Sequence, residues 1–191
     1  MTPPRAVILV LLAALTAEPV ARAADRFDMD PARQALLLLR ALAYDRQLKA
    51  RAGTAVSILL VEGQDADAAC RELGHELEVL ARTFTVVGLP VRVRMEIVSD
   101  ASALDARLTA ESVSVLFVCD GSRLEAAAVT SVARRLQVRT ATSTSSRVYA
   151  GIGLGIVTRG TRLSVLVNLP AARAEGADFD ASLLAVADVL R

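Results

Sequence analysis

Few side chains in this sequence are of types that do chemistry, and they point in different directions. Cys70 and Cys119 are the two cysteines, His75 is the only histidine, and Gly151-Ile152-Gly153-Leu154-Gly155 is a dense run of glycines. A glycine loop cradles phosphate when it lies between a strand and a helix N-terminus. These glycines instead sit in an apolar strand that leads to a turn, where glycine marks close backbone approach. His75 stands in Arg71-Glu72-Leu73-Gly74-His75-Glu76, and Val79 occupies the place where a metalloprotease helix needs its second histidine. The same lone histidine is the only base for a hydrolase built on Ser122 or Ser146. It falls off the apolar stripe of its helix, and no G-x-S-x-G elbow is present. The carboxylates form no recognisable acid–base pair. The sequence therefore reads as non-enzymatic, without catalytic residues, cofactor or metal.

The cysteines depend on the elements that carry them. Cys70 lies about one turn into the helix expected after the first strand, and Cys119 ends the strand expected to be central. In a parallel sheet both positions fall at the carboxyl edge, where Cα atoms could come within the roughly 5.5 Å of a bridge. Two separately buried thiols are the alternative, and both readings stay open.

The elements follow from caps and periodicity. Asp30 and Pro31 start a helix that runs to Arg51. Its Leu36-Leu37-Leu38-Leu39 run is apolar around the circumference, which leaves two uses. Either the helix packs in a groove of its own domain, or Leu37, Leu38 and Tyr44 belong to a subunit interface. Thr54–Val61 reads as a strand and Asp65–Phe84 as an amphipathic helix. Pro90–Val98 alternates as a strand with one wet face at a sheet edge. A short helix over Ser102–Leu108, a nearly all apolar strand over Val113–Cys119 and a helix over Arg123–Leu136 follow. Val138–Thr142 is a short strand and Ser143–Arg147 a polar loop whose hydroxyls and arginine could hold an anion. Gly151–Thr158 and Arg162–Leu169 form a hairpin around Arg159-Gly160-Thr161. Ala171–Ala174 is a helical turn, and Ser182–Leu190 a closing helix. Strands alternating with helices imply parallel βαβ units. The expected fold is a three-layer α/β/α domain on a mixed sheet of about six strands, ending in an antiparallel hairpin and a closing helix.

Residues 1–23 read as a cleavable export signal, with Arg5, an apolar Ala6–Leu15 and the A-x-A site Ala21-Arg22-Ala23. Ten apolar residues are too few to span a bilayer. Residues 24–191 then form a single domain, and the expected location is periplasmic. The 22 basic and 21 acidic residues nearly balance, aromatics are 3% of the chain, and no basic stripe is interleaved with aromatic rings. Nucleic acid binding lacks its electrostatic and stacking components.

The C-terminal third carries the most specific wording. Gly153-Leu154-Gly155-Ile156-Val157, Val167-Asn168-Leu169, Ala171-Ala172-Arg173 and Ser182-Leu183-Leu184-Ala185-Val186-Ala187 occur in the order and spacing of the YfiR family. On these residues the chain resembles a divergent member. Ala43-Tyr44-Asp45-Arg46 replaces the family's V-E-W-P-like motif, and the cysteines stand away from the family's usual redox-linked pairs. The resemblance implies a periplasmic homodimer that docks on a membrane diguanylate cyclase or histidine kinase sensor and keeps cyclic-di-GMP signalling low. Without the family, Gly153, Gly155, Asn168, Leu169, Ala172, Arg173, Leu183 and Leu184 read as a structural latch. Asn168 would tie the Pro170 turn to a neighbouring backbone, and Arg173 would pair with an acid on the closing helix. The alternative function is a small-molecule binding module with its pocket at the carboxyl edge near Asp120 and Gly121.

Overall fold

The computed structural model describes residues 30–64 and 67–191, so the export signal expected over 1–23 lies outside the described residues. Helix α1 (Pro31–Ala43) starts where the Asp30 carboxylate accepts hydrogen bonds from the backbone N–H of Ala32 and Arg33. It stops at Tyr44, and a short α2 (Leu48–Ala52) follows. Strand β1 (Val56–Glu62) leads into α3 (Ala68–Ala81), capped by the Asp67 side chain on Cys70 N–H. After a two-residue β2 (Thr85–Val86) come β3 (Leu89–Ile97), α4 (Ala101–Ala110), β4 (Val115–Val118), α5 (Ala126–Leu136) and β5 (Arg139–Thr142).

The polar loop expected over Ser143–Arg147 is instead largely helical, as α6 (Ser145–Tyr149), anchored by the fully buried Val148. The hairpin is β6 (Leu154–Arg159) and β7 (Arg162–Asn168), with Gly160 at φ +59° in its turn, a conformation that glycine adopts without steric cost. It is followed by α7 (Leu169–Ala174), α8 (Ala181–Leu184) and β8 (Asp188–Leu190).

All strands form one sheet, in the order β2-β3-β1-β4-β5-β6-β7-β8. Strands β3, β1, β4, β5 and β6 run parallel, and β7 turns back antiparallel on β6. The sheet is thus mixed, with eight strands among the described residues where about six were expected. One addition is β2, which pairs with only the first two residues of β3. The other corrects the closing helix. It lasts only Ala181–Leu184, and the chain then lies parallel to β7 as β8. The unpaired backbone along the outer side of β7 accounts for this, since an edge of free N–H and C=O groups takes up an extended neighbour.

Alternating side chains divide the core between two faces. Ile58, Leu60, Val115 and Phe117 pack with Leu38, Leu42, Leu73 and Leu77 of α1 and α3. Leu59, Val61, Leu116 and Val118 pack with Leu104, Leu108, Val129 and Val132 of α4 and α5. These are the three expected layers. Strand β3 has its wet face where expected, with Arg94 and Glu96 paired to Glu111 and Arg107 at 2.6 and 2.7 Å.

Candidate functional site

The strand order reverses at β1. The chain passes from β1 to its neighbour β3 on one side and then returns to β4 on the other. Helices α3 and α5, which follow β1 and β4, therefore lie on opposite faces, and the loops leading to them part at the carboxyl ends of the strands. In open α/β sheets such a switch point is where ligands bind.

Here the crevice is cross-braced. Asp67 uses one carboxylate oxygen to cap α3 on Cys70 N–H at 3.1 Å and the other to accept from Gly121 N–H across the crevice at 2.9 Å. Its own N–H donates to the buried Glu62 carboxylate at 2.8 Å. Gly63 passes so close to the other loop that a Cβ there would collide with the Gly121 carbonyl oxygen. Cys70 and Cys119 are bonded to each other across the same gap, with Cα atoms 5.7 Å apart. Three kinds of link thus hold the two loops together.

Beside the bracing, on the α1 and α3 face, a cavity of about 70 Å³ remains, bounded by Gln34, Asp67, Leu73, Phe117, Asp120 and Ser143. The Asp120 carboxylate accepts from the Ser143 and Thr144 hydroxyls through the same oxygen, Oδ1. Its pKa is raised, first by loss of hydration and further by the Asp67 charge, while Ser143 and Arg147 act against the shift. Gln34 is only 5% exposed, and its Nε2 has no hydrogen-bond partner among the described residues. An unpaired buried donor costs about 1–3 kcal/mol, so it is an exception to the pairing of polar groups elsewhere in the protein.

The remaining candidates from the sequence have structural surroundings. Arg147 donates to the backbone carbonyls of Leu124 and Ser122, which commits its guanidinium to the loop rather than to an anion. Ser122 is buried and Ser146 exposed. His75 lies in a shallow hollow with Pro31, Arg71, Glu72 and Glu76, which neither serine lines. Among the described residues no group of histidine, cysteine and acidic side chains is arranged to hold a metal. Leu38 is fully buried in the core of its own chain, Leu37 is half-buried, and Tyr44 is 44% exposed.

At the opposite, amino end of the sheet lies a second polar cluster. The Asp45 carboxylate accepts from Arg139 Nε at 2.7 Å, with both side chains almost fully buried, and also from the N–H groups of Gln47 and Asp178. The Glu175 carboxylate receives Thr140 N–H at 2.8 Å and Thr140 Oγ1 at 2.6 Å. Burial pushes its pKa up to about 7 against the pull of these bonds and of Arg134 and Arg139. A Cβ on Gly153 would approach Glu175 Oε2 to 2.6 Å, so glycine is required there, and Gly155 is similarly crowded by Val148. Asn168 caps α7 on Ala171 N–H and donates to the Val148 carbonyl. Leu183 and Ala172 are in the core with Leu169 and Leu184 packed against it. Arg173 is exposed, and the strong ion pair to the α8 cap is made by Arg46 with Asp180 at 2.6 Å. Asp45, Arg139 and Glu175 escaped the sequence reading because their partners are distant in the chain. Gln34 did carry a signal, since it shares the buried stripe with Leu38 and Ala41 at helical spacing.

Among the described residues, no helix is long and apolar enough to cross a membrane. A search of curated proteins finds no match. Solved structures share the fold at low identity. The ABC domain from Streptococcus pneumonia, solved in complex with L-Trp, is 17% identical, with a TM-score of 0.59 over 84% of this chain and 60% of that one. A conserved domain protein from Vibrio cholerae is 14% identical, with a TM-score of 0.53 over 84% and 60%. The ligand-free, open structure of CD0873, a substrate binding protein with adhesive properties from Clostridium difficile, is 13% identical, with a TM-score of 0.52 over 76% and 57%. This chain thus spans about three fifths of the solved chains it resembles. The sequence itself matches the model of one family along 32–188, nearly all of the described structure, and on that match the chain belongs to the YfiR/HmsC-like family.

Proposed function

We propose that this protein is an exported, non-catalytic regulator that inhibits a membrane-bound signalling partner, the sensor region of a diguanylate cyclase or histidine kinase. It would act from the periplasm as a homodimer. The observation that carries this reading is the family match over 32–188. On α1, Tyr44 and Leu37 keep exposed surface that a partner could cover, whereas Leu38 has none. Deleting the gene in its host tests the proposal, with cyclic-di-GMP measured and the exported protein crosslinked to its membrane neighbours. The expected result is a rise in cyclic-di-GMP and recovery of one cyclase or kinase through its periplasmic region. Unchanged cyclic-di-GMP together with no such crosslink would overturn it.

A second reading, small-molecule binding at the carboxyl edge, is favoured by the cavity against Gln34. The fold shared with a substrate binding protein supports it. A thermal-shift panel of small metabolites checks this reading, and no response to any of them would remove its support.

A further inference from the structure

Beyond the short β2, the outer side of β3 is an uncovered edge. Strand β2 pairs with Leu89 and Pro90, and among the described residues no strand lies beside 92–97. The turn between β2 and β3 fixes which backbone groups are left over. Val87 and Gly88 both have positive φ, +49° and +79°, as in a two-residue hairpin turn, so Val86 and Leu89 flank it as a hydrogen-bonded pair. Backbone groups alternate sides along a strand, so the N–H and C=O of Val93, Met95 and Ile97 face away from β1. Such a row takes up an extended neighbour. The side chains of these three residues are apolar. Val93 and Met95 pack against the core, whereas Ile97 is 63% exposed. The wet face between them carries Arg94 and Glu96, of opposite sign.

We infer that this edge pairs with a second copy of the chain, β3 against β3 antiparallel, about a twofold axis at Met95. In that register Met95 lies opposite Met95, and Val93 opposite Ile97 of the second copy. These are the hydrogen-bonded pairs, with about six interchain bonds in all. Arg94 lies opposite Glu96 of the second copy in the pairs between them, where side chains come closest. No like charges face each other. Moving the axis one residue either way sets Arg94 against Arg94 or Glu96 against Glu96, so charge selects the register. The ion pairs within each chain fit the same scheme. Arg94 holds Glu111 at 2.6 Å and Glu96 holds Arg107 at 2.7 Å, so pairing joins both sets into one ladder of alternating sign. Charges on an edge deter association when they repel, whereas signs that match on reversal of the strand attract. The exposed Ile97 gains an apolar neighbour in Val93 of the second copy, and β2 of each copy bounds the window at Leu89 and Pro90. The inference rests on the homodimer in the reading above and goes further by naming its surface.

The test is sedimentation velocity of protein expressed from the whole chain, over concentrations from about 1 to 100 μM. A dimer should form in that range. Arg94→Glu sets like charges opposite each other twice and should raise the dimer Kd roughly tenfold or more. Adding Glu96→Arg restores the match with the signs exchanged and should return the Kd to near its parent value, a rescue that a purely structural role of either residue would not give. Oxidising a mixture of Arg94→Cys and Glu96→Cys chains should link one to the other and neither to itself, since the proposed pair brings Cα atoms to about 4.5 Å. If a variant fails to fold, hydrogen exchange of the unaltered protein replaces it, and the Val93, Met95 and Ile97 amides should exchange more slowly at the higher concentration. A dimer whose Kd ignores both substitutions, or whose three amides exchange alike at all concentrations, would overturn the β3 surface and leave the homodimer standing. A protein that stays monomeric throughout would overturn the pairing and the homodimer together, and the cyclic-di-GMP measurement then decides the regulatory reading separately.

Discussion

The two ends of the parallel sheet use the same kinds of side chain to opposite effect. At the amino end, Asp45, Arg139, Glu175 and Thr140 are buried, and each has protein partners. They join the turn after α1, the start of β5 and the segment after α7, with backbone bonds from Arg46 to Asp178 and from Asp180 to Tyr44 completing the seam. At the carboxyl end Asp67 and the cysteine pair brace the loops, yet Gln34 keeps a buried amide nitrogen without a partner among the described residues. A polar cluster that satisfies itself holds a fold together.

The largest expected effect breaks the satisfied end. Arg139→Met leaves the Asp45 carboxylate buried without its cation. Removing one member of a buried pair costs about 3–5 kcal/mol, whereas replacing both by apolar residues of similar size is often neutral. Urea unfolding should show a loss of that order for Arg139→Met and much less for the Asp45→Leu, Arg139→Met double variant. Equal losses in both would mean that the other bonds of Asp45, to Gln47 and Asp178, matter more than the pair itself.

The cysteine pair braces the other end and should rank next. It closes a loop of 49 residues, which corresponds to about 4 kcal/mol in the chain-entropy account, within a general range of 0–5. The Cys70→Ser, Cys119→Ser variant should unfold at lower urea concentration, and the unreduced, denatured parent should contain no titratable thiol. Two thiols in the parent would remove the brace from the comparison.

A pH scan separates the ends further. The pKa of Glu175 is about 7 in the fold against an ordinary 4.5, so the folded state holds this proton more tightly than the unfolded chain. Its contribution favours folding below pH 4.5 and is lost as pH rises through 7, after which it is level. The shift corresponds to roughly 3 kcal/mol across that window. Glu175→Gln, which keeps the shape and cannot ionise, should flatten the fall of stability between pH 5 and 7. A slope unchanged by the substitution would place the titration elsewhere.

What could be read from the sequence were features written locally. Asp30 with Pro31 marks the start of α1, the apolar run around Phe117 marks a central strand, and Gly160 marks the hairpin. The alternation of β3 gave its wet face, and its place is one in from the edge, with only the two-residue β2 outside it. Distant pairing was hidden. Strand β8 is three residues whose conformation is set by the free edge of β7, so local periodicity suggested a helix there. Asp45 and Arg139 are 94 residues apart, and neither has a sequence neighbour that announces the other. The carboxyl-edge location of Asp120 and Gly121 followed from topology, but the bracing by Asp67 and the burial of the Gln34 amide on α1 needed three dimensions.

The smallest expected effect is also the one that best distinguishes the two ends. At the satisfied end every truncation should destabilise. Gln34 differs because its Nε2 has no hydrogen-bond partner among the described residues and so bears the cost of an unmade bond. Replacing it with leucine removes that donor and puts an apolar side chain beside Leu38 and Leu73. Gln34→Leu should therefore leave stability unchanged or raise it by about 1 kcal/mol, since deleting an unsatisfied group restores its desolvation cost. Chemical denaturation of the unliganded variant measures this directly. A loss of 1 kcal/mol or more would show that the amide is satisfied in solution, and Gln34 would then belong with the satisfied groups of the amino end.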